Sequence, residues 1–330
     1  MSVQYLSQLK KLSHRIQKAK NLVLTTHKIC DGDGLGAMLG MYHALVKMEK
    51  PVRAISVDKI SNKYRFLDID QYTENFEQLK DPIKPTELAL VFDTNDYRRI
   101  QPLYDTLHTQ CEDIIYIDHH VILEGLKISE DSIVVPSAAS TGEICYFLLK
   151  EMGISIDPRI ATALYVSIVF DTQRFRFIKR SPISHTICSE LCKYIEDNES
   201  LYNHIFGVTS LEKMNLLAKT IQNTEYFYKH QVALLWLTIE ELNKYHLSIE
   251  DACDFLDMTL EVDSTQLAVL IVPLSKNEYK LSFRSKKIDV SKVAGVFKGG
   301  GHKFSSGASL KNYEKNLKQE ILKSLESFFK

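Results

Sequence analysis

Through the first half of the chain, short runs of consecutive apolar residues alternate with longer stretches in which apolar positions recur every three or four. The runs are LVLTT (22–26), LALVF (88–92) and DIIYI (113–117); the longer stretches include LGAMLGMYHALVKM and STGEICYFLLKEMG. Short continuous runs suit strands buried on both faces, and the longer periodicity suits amphipathic helices. Their alternation predicts an α/β fold with a parallel sheet flanked by helices. MSVQYLSQLKKLSHRIQKAK, at the amino terminus, predicts one further amphipathic helix ahead of the first strand.

From about residue 182 to 228 the pattern is helical and highly charged, which predicts a connector rather than a core. The texture then changes again. QVALLWL reads as a strand, QLAVLIVPL and EYKLSFRS as a hairpin around SKNE, and VSKVAGVFK as a short helix before GGGHKFSSGASL and a closing amphipathic helix. The expected division is therefore a catalytic domain over 1–181, a helical connector over 182–228, and a smaller α/β domain over 229–330.

Composition narrows the partners. The 330 residues carry 41 Lys plus Arg against 42 Asp plus Glu, a formal net charge of -1. No overall field would hold a long polyanion, so any phosphate must be recognised locally. The six cysteines form no CxxC pair and read as reduced thiols. No run approaches the ~20 apolar residues of a membrane span, and the amino terminus lacks the apolar segment of a signal peptide. A cytoplasmic protein without membrane contact is expected.

Each apolar run is followed at once by acids or histidines: His27, Asp31 and Asp33 in HKICDGDG, then Asp93, then Asp118, His119 and His120 in DHH. Sites in open parallel sheets lie beyond the carboxyl ends of strands. A further acid, Asp171, closes ALYVSIVFD and is expected at another strand end. Carboxylates gathered there without cations would repel one another and raise their pKa values. Two divalent cations would neutralise them, and His27 and His119 favour Mn, Fe, Co or Zn over Mg or Ca. Asp31 and Asp33 sit in a glycine-punctuated loop where Gly32 and Gly34 permit unusual backbone angles, so each acid could serve one ion, with Asp93 as the bridge between them.

HKICDGDGLGA, VFDTND, IDHH and FDTQRF, followed much later by GGGHKFSSGA, resemble in order and spacing the DHH phosphoesterase family. PSAASTGEI and LSFRSKKIDVSKVAGVFKGGGH extend the resemblance over nearly the whole chain and are similar to its NrnA-like branch of nanoRNases and pAp phosphatases. The resemblance implies that His27, Asp31 and Asp93 bind one metal and Asp33, Asp93, His119 and Asp171 the other, with two Mn2+ ions the expected cofactors. It further implies that Asp118 orients a neighbouring group and that His120 faces the scissile phosphate. Cys30, Ala37 and Ser167 depart from the usual proline, serine and glycine.

The carboxy-terminal motif has a physical reading of its own. Gly299, Gly300 and Gly301 would let backbone N–H groups approach an anion, His302 would add a donor, and Arg284 offers a planar fork for phosphate. Ser140 reads either as a substrate contact or as a helix N-cap with Glu143 three residues on. In the resembled family the second domain grips the part of the substrate not being cleaved, which implies a cleft between domains. The expected activity is hydrolysis of dinucleotides and short oligoribonucleotides, and of pAp, by a hydroxide activated between two metals. A cyclic di-AMP phosphodiesterase is the alternative; a manganese pyrophosphatase and a non-catalytic nucleotide sensor rank below it. Long nucleic acid is not an expected partner, and a homodimer is left open.

Overall fold

The computed structural model describes residues 3–122, 125–179, 182–207, 209–301, 303–313 and 316–329. It divides into two compact units, residues 1–208 and 209–330. The first opens with α1 (Val3–Lys18), whose Leu9, Leu12 and Ile16 are buried at helical spacing. There follow β1 (Leu22–Thr26), α2 (Gly32–Lys47), β2 (Val52–Ser56), α3 (Ile69–Tyr72), β3 (Glu74–Asn75), β4 (Thr86–Phe92), α4 (Leu103–Gln110), β5 (Cys111–Asp118) and β6 (Ile133–Val134). The unit continues with α5 (Thr141–Glu151), α6 (Pro158–Asp171), α7 (Ile183–Leu191) and α8 (Asn198–Tyr202).

These strands form one parallel sheet in the order β3-β2-β1-β4-β5-β6. Alternate side chains leave its two faces, as the period of a strand requires. Leu22, Leu24, Leu88, Leu90, Phe92, Ile115 and Ile117 enter the core shared with α2, α5 and α6. Val23, Ala89, Val91 and Tyr116 enter the other, with Leu103 and Leu107 of α4. Both faces are covered, which explains why the strands read as continuous apolar runs. From β1 the chain moves outward to β2 and β3, then returns to lay β4 on the other side of β1. A crevice opens beyond the carboxyl ends of strands at such a reversal, here between the strands that precede His27 and Asp93.

Two expectations change. ALYVSIVF is helix, not strand: it forms α6, with Pro158 in the first turn and Asp157 capping it by accepting from the N–H groups of Arg159 and Ile160 at 3.1 and 3.0 Å. A helix buried on nearly all sides shows the same unbroken apolar run as a strand, so periodicity alone does not separate them. The segment 182–228, expected as a connector, is shared between the two units. Ile187, Cys188 and Leu191 of α7 join the first core. Leu216 and Leu217, from α9 (Leu211–Gln222), join a core of the second.

The second unit continues through β7 (Glu225–Phe227), β8 (Val232–Trp236), α10 (Ile239–Lys244), α11 (Ile249–Leu260), β9 (Leu267–Ser275) and β10 (Glu278–Ser285). It ends with α12 (Val290–Val296), β11 (Gly300–Gly301), β12 (Ser305–Leu310) and α13 (Leu317–Leu325). Its sheet runs β11-β12-β10-β9-β8-β7, parallel only between β8 and β9. Helices cover both faces: α12 and α13 pack on one, and α9 and α11 on the other. Among the described residues, no helix is long and apolar enough to cross a membrane.

Candidate metal centre

Asp31 does not stand in a free loop. It is the N-cap of α2, its Oδ1 accepting from the N–H groups of Asp33 and Gly34 at 3.0 and 3.3 Å. That leaves Oδ2 for an ion. Asp33 lies in the first helical turn, and the flanking glycines are helical rather than unusual in backbone angle. They are needed for space: a Cβ at Gly32 would stand 2.6 Å from the Phe170 ring, and one at Gly34 would strike the Thr26 hydroxyl. Close packing, not conformational freedom, accounts for them.

Asp93 follows β4 directly. Its N–H continues the ladder by donating to the Ile117 carbonyl at 3.1 Å, and its φ of 60° lies in the left-handed region, which aspartate visits more readily than most residues. The turn aims its carboxylate into the reversal between strands. Asp93 Oδ2 lies 3.2 Å from His27 Nε2, while Oδ1 lies 3.4 Å from His119 Nε2 and 3.5 Å from His120 Nδ1. One oxygen thus faces each side of the cluster. Thr141 completes the seat, donating its hydroxyl to Asp93 Oδ1 at 3.2 Å.

Both inward histidines are held alike. His27 Nδ1 lies 2.7 Å from the Lys28 carbonyl and His119 Nδ1 3.3 Å from the Ala138 carbonyl. An Nδ1–H donated to a carbonyl leaves Nε2 as a lone-pair ligand, the usual arrangement behind a metal-binding imidazole. His119 Nε2 is buried and, among the described residues, has no hydrogen-bond partner. It faces carboxylate oxygens of Asp93, Asp33 and Asp171 at 3.4, 3.5 and 3.5 Å. A buried ring nitrogen without a hydrogen bond, ringed by carboxylates, is what a cation between them would satisfy.

Asp33 is fully buried and held by the start of α5: the Thr141 N–H donates to Oδ2 at 2.8 Å, the Gly142 N–H to Oδ1 at 3.2 Å, and the Ser167 hydroxyl also to Oδ1. A helix N-terminus favours a carboxylate there. Asp118 is also fully buried. Its Oδ1 accepts from the His119 N–H at 2.7 Å and lies 2.7 Å from His120 Nδ1, and its Oδ2 accepts from Asn95 Nδ2 at 2.6 Å. With both oxygens engaged, Asp118 orients the tandem histidines.

The titration of the cluster records its crowding. Burial raises the Asp33 carboxyl well above its ordinary value, with the Asp93 and Asp171 charges adding to the effect. Asp171 is raised to about 6, first by desolvation, with the His119 charge opposing and that of Asp93 assisting. At Asp93 burial works against the charge, but the imidazoles of His119 and His27 beside it hold its pKa well below the usual range. His119 is lifted to about 10: burial pulls it down, and Asp93, Asp171 and Asp33 more than offset that. Without cations, the cluster retains protons in their place.

Ligand atoms of His27, Asp31 and Asp93 lie within 4.8 Å of one another, as do those of Asp33, His119 and Asp171, and those of Asp93, His119 and His120. The structure therefore brings all the sequence-selected acids and histidines of the first unit to one place, although Asp171 reaches it from the end of α6 rather than from a strand. Ser140 is different. Fully buried, its hydroxyl accepts from the Glu143 N–H at 3.2 Å as the N-cap of α5, so it has no surface to present to a substrate. Two further polar residues stand at the cluster, Asn95 inside VFDTND and Lys179 with no distinguishing pattern in the sequence. Asn95 locks Asp118, and Lys179 Nζ lies 3.3 Å from His119 Nδ1 and donates to the Pro136 carbonyl at 2.9 Å.

In the second unit, Gly300 and Gly301 form β11, paired antiparallel with Gly307 and Ser306 of β12, and both are exposed. Gly301 has a φ of 138°, and a Cβ there would stand 2.7 Å from the Ser305 carbonyl oxygen, so the hairpin requires glycine. A Cβ at Gly299 would strike the Gly307 carbonyl oxygen. Arg284 is half-buried at the end of β10, in register with Ser305, which places it beside the same hairpin. His302 lies outside the described residues.

Residues 21–168 match the DHH family, N-terminal domain, and residues 244–330 match the DHHA1 domain. Over 305 residues the chain is 26% identical to the bifunctional oligoribonuclease and PAP phosphatase NrnA of Mycoplasma genitalium, covering 90% of this chain and 91% of that protein. The protein of the same description from Bacillus subtilis is 25% identical over 316 residues, covering 94% and 95% respectively. Among solved structures, an exopolyphosphatase-related protein from Bacteroides fragilis matches with a TM-score of 0.88 at 22% identity, over 98% of this chain and 96% of that one. This last likeness is one of fold.

Proposed function

The chain carries a DHH family N-terminal domain followed by a DHHA1 domain, and from that premise we propose a metal-dependent phosphoesterase that hydrolyses dinucleotides and short oligoribonucleotides to mononucleotides and dephosphorylates pAp. The names of the relatives support the substrate class. The observation that carries the reading is Asp93, buried, with one carboxylate oxygen turned toward His27 and the other toward His119. A carboxylate so placed is suited to bridge two ions.

In this reading His27, Asp31 and Asp93 hold one ion, and Asp33, Asp93, His119 and Asp171 hold the second. Mixed imidazole and carboxylate ligands suit Mn2+. Bound metals supply Lewis acidity and lower the pKa of water. The chain supplies the positioning. The α5 N-terminus and Ser167 hold Asp33, the carbonyls of residues 28 and 138 keep two imidazoles in the ligating tautomer, and Asn95 with Asp118 fixes His120. His120, 20% exposed at its side chain against 6% for His119, is the histidine that meets the scissile phosphate. Arg284, the backbone of Gly299, Gly300 and Gly301, and His302 bind the remainder of the substrate. Six free cysteines support a reducing, cytoplasmic location.

The test uses the whole protein, stripped with chelator and resupplied with Mn2+. It is incubated in parallel with pApA, pAp, cyclic di-AMP and pyrophosphate, and the products are resolved by chromatography. Mononucleotide from pApA and AMP from pAp are expected. Faster attack on cyclic di-AMP than on pApA would replace the substrate class. Unchanged substrates in every tube, with manganese shown to be bound, would overturn the activity itself.

A further inference from the structure

Ile29 lies between His27 and Asp31, in the turn that delivers both to the cluster, and its identity is not what that turn requires. Its φ is 51°, in the left-handed region where a β-branched residue is a genuine outlier. The residue is 67% exposed, so packing does not compensate.

The left-handed backbone has a clear reason. The Ile29 N–H donates to both carboxylate oxygens of Asp58, at 3.1 and 2.9 Å. The Lys28 N–H donates to the Arg99 carbonyl at 2.9 Å, and the chain then turns to bring Asp31 to the N-cap of α2. Glycine or asparagine would adopt that conformation at lower cost. An exposed apolar residue is ordinary on a protein surface, but one that is strained as well is stabilised neither by solvent nor by neighbours. Residues in sparsely populated backbone regions persist where the surrounding structure holds them, as Asp58 does here, and they cluster at active sites and ligand clamps. Lys28 and Arg99, joined here through their backbones, are exposed cations, and the Asp58 carboxylate is engaged by the Ile29 N–H, so a ligand reaching this rim meets an apolar side chain in a charged setting. That suits a nucleotide better than an apolar protein surface.

We propose that Ile29 is an apolar contact for a nucleobase of the substrate, displayed at the rim of the metal centre by its strained turn. This rests on the phosphoesterase reading above. The branched side chain covers one face of the base while the adjacent phosphate occupies the ligand cluster, so Ile29 contributes to substrate affinity and to selection for nucleotides over bare phosphate compounds.

The experiment compares the wild-type protein with Ile29→Gly, Ile29→Asn and Ile29→Leu in Mn2+, using pApA and two analogues that each lack one base. The Gly and Asn variants are expected to melt at or above the wild-type temperature, because they relieve strain. Their KM for pApA should rise about 5–10-fold, the effect of uncovering part of one apolar face, with the loss in KM rather than kcat. The Leu variant should stay near the wild-type KM. One of the two base deletions should weaken wild-type turnover, and that penalty should shrink to under about twofold in Ile29→Gly. Cleavage of pApA with the same base penalty in wild type and Ile29→Gly would overturn this inference alone. So would a lowered melting temperature accompanied by equal losses in kcat, the signature of a structural role. No cleavage of pApA by the wild-type protein would overturn it together with the reading beneath it.

Discussion

The ligand cluster of the first unit and the glycine hairpin of the second are built in opposite ways. The cluster draws side chains from the ends of β1, β4 and β5, from the start of α2 and from the end of α6, and buries most of them. The hairpin is local, pairing Gly300 and Gly301 of β11 with Gly307 and Ser306 of β12, with exposed backbone at Gly300 and Gly301 and Arg284 in register on the next strand. Charge held out of water must be fixed from several directions, or it moves or takes up a proton. Anion recognition by backbone N–H groups needs only a turn without side chains in the way. On the proposed reading, chemistry demands long-range convergence in this protein, whereas recognition needs only local structure.

The contrast is broken most forcefully at Asp93. Asp93→Asn preserves shape and tolerates the left-handed backbone, so the far-ultraviolet spectrum and melting should be nearly unchanged while kcat falls at least ~10³-fold, about 4 kcal/mol. Retention of more than about a tenth of the rate would mean that Asp93 is not a bridge. At the hairpin, Arg284→Ala should raise KM roughly 10–100-fold with little change in kcat or melting. Arg284→Lys should recover only part of the loss, because an ammonium lacks the planar fork. An effect confined to kcat would place Arg284 in the chemistry and erase the distinction between the two regions.

A milder change sharpens the comparison. Ser167→Ala removes the hydroxyl that donates to Asp33 Oδ1 without replacing any proposed ligand, and manganese affinity measured by calorimetry should fall about tenfold, the lower end for a residue behind a ligand. Unaltered affinity would show that the two N–H donors of α5 hold Asp33 unaided.

The smallest effect is one of pH. With a folded pKa of about 10, His119 stabilises the metal-free protein below its ordinary value near 6.5, and that contribution is lost as pH rises through about 10. Asp171, raised to about 6, also favours the protonated folded state, and its contribution disappears as pH rises from 3.8 through about 6. Both slopes have the same sign, so the chelated protein should become less stable with rising pH. Ligands must release these protons to bind metal, and the rise in melting temperature on adding Mn2+ should grow by a few degrees between about pH 5 and pH 8. A pH-independent gain would exclude His119 and Asp171 from the ions' immediate surroundings.

Much of the first unit was legible because its strands are buried on both faces and end where their acids begin. LVLTT is β1 residue for residue, and LALVF and DIIYI lie within β4 and β5. The sheet extends further than those runs: β2 contains Arg53 amid its apolar residues, and β3 and β6 have two residues each, too few to show a period. In the second unit the β9–β10 hairpin and α12 follow their patterns, since alternation and turn residues are local signals. The helix under ALYVSIVF and the helical setting of Gly32 and Gly34 did not show, because all-round burial and close packing leave no period to read.

By itself the amino-acid sequence determined the chemistry on offer: an apolar run, then carboxylate or imidazole, repeated until enough ligands for two ions had accumulated. Only the tertiary structure decided that β4 lies beside β1, that Asp171 arrives from a helix, that the first turn of α5 grips Asp33, and that Ile29 is held in a conformation its side chain disfavours. The difference is one of range. Periodicity and ligand type are written in adjacent residues, whereas strand order, helix approach and strain arise from contacts between residues far apart in the chain, which no local pattern encodes.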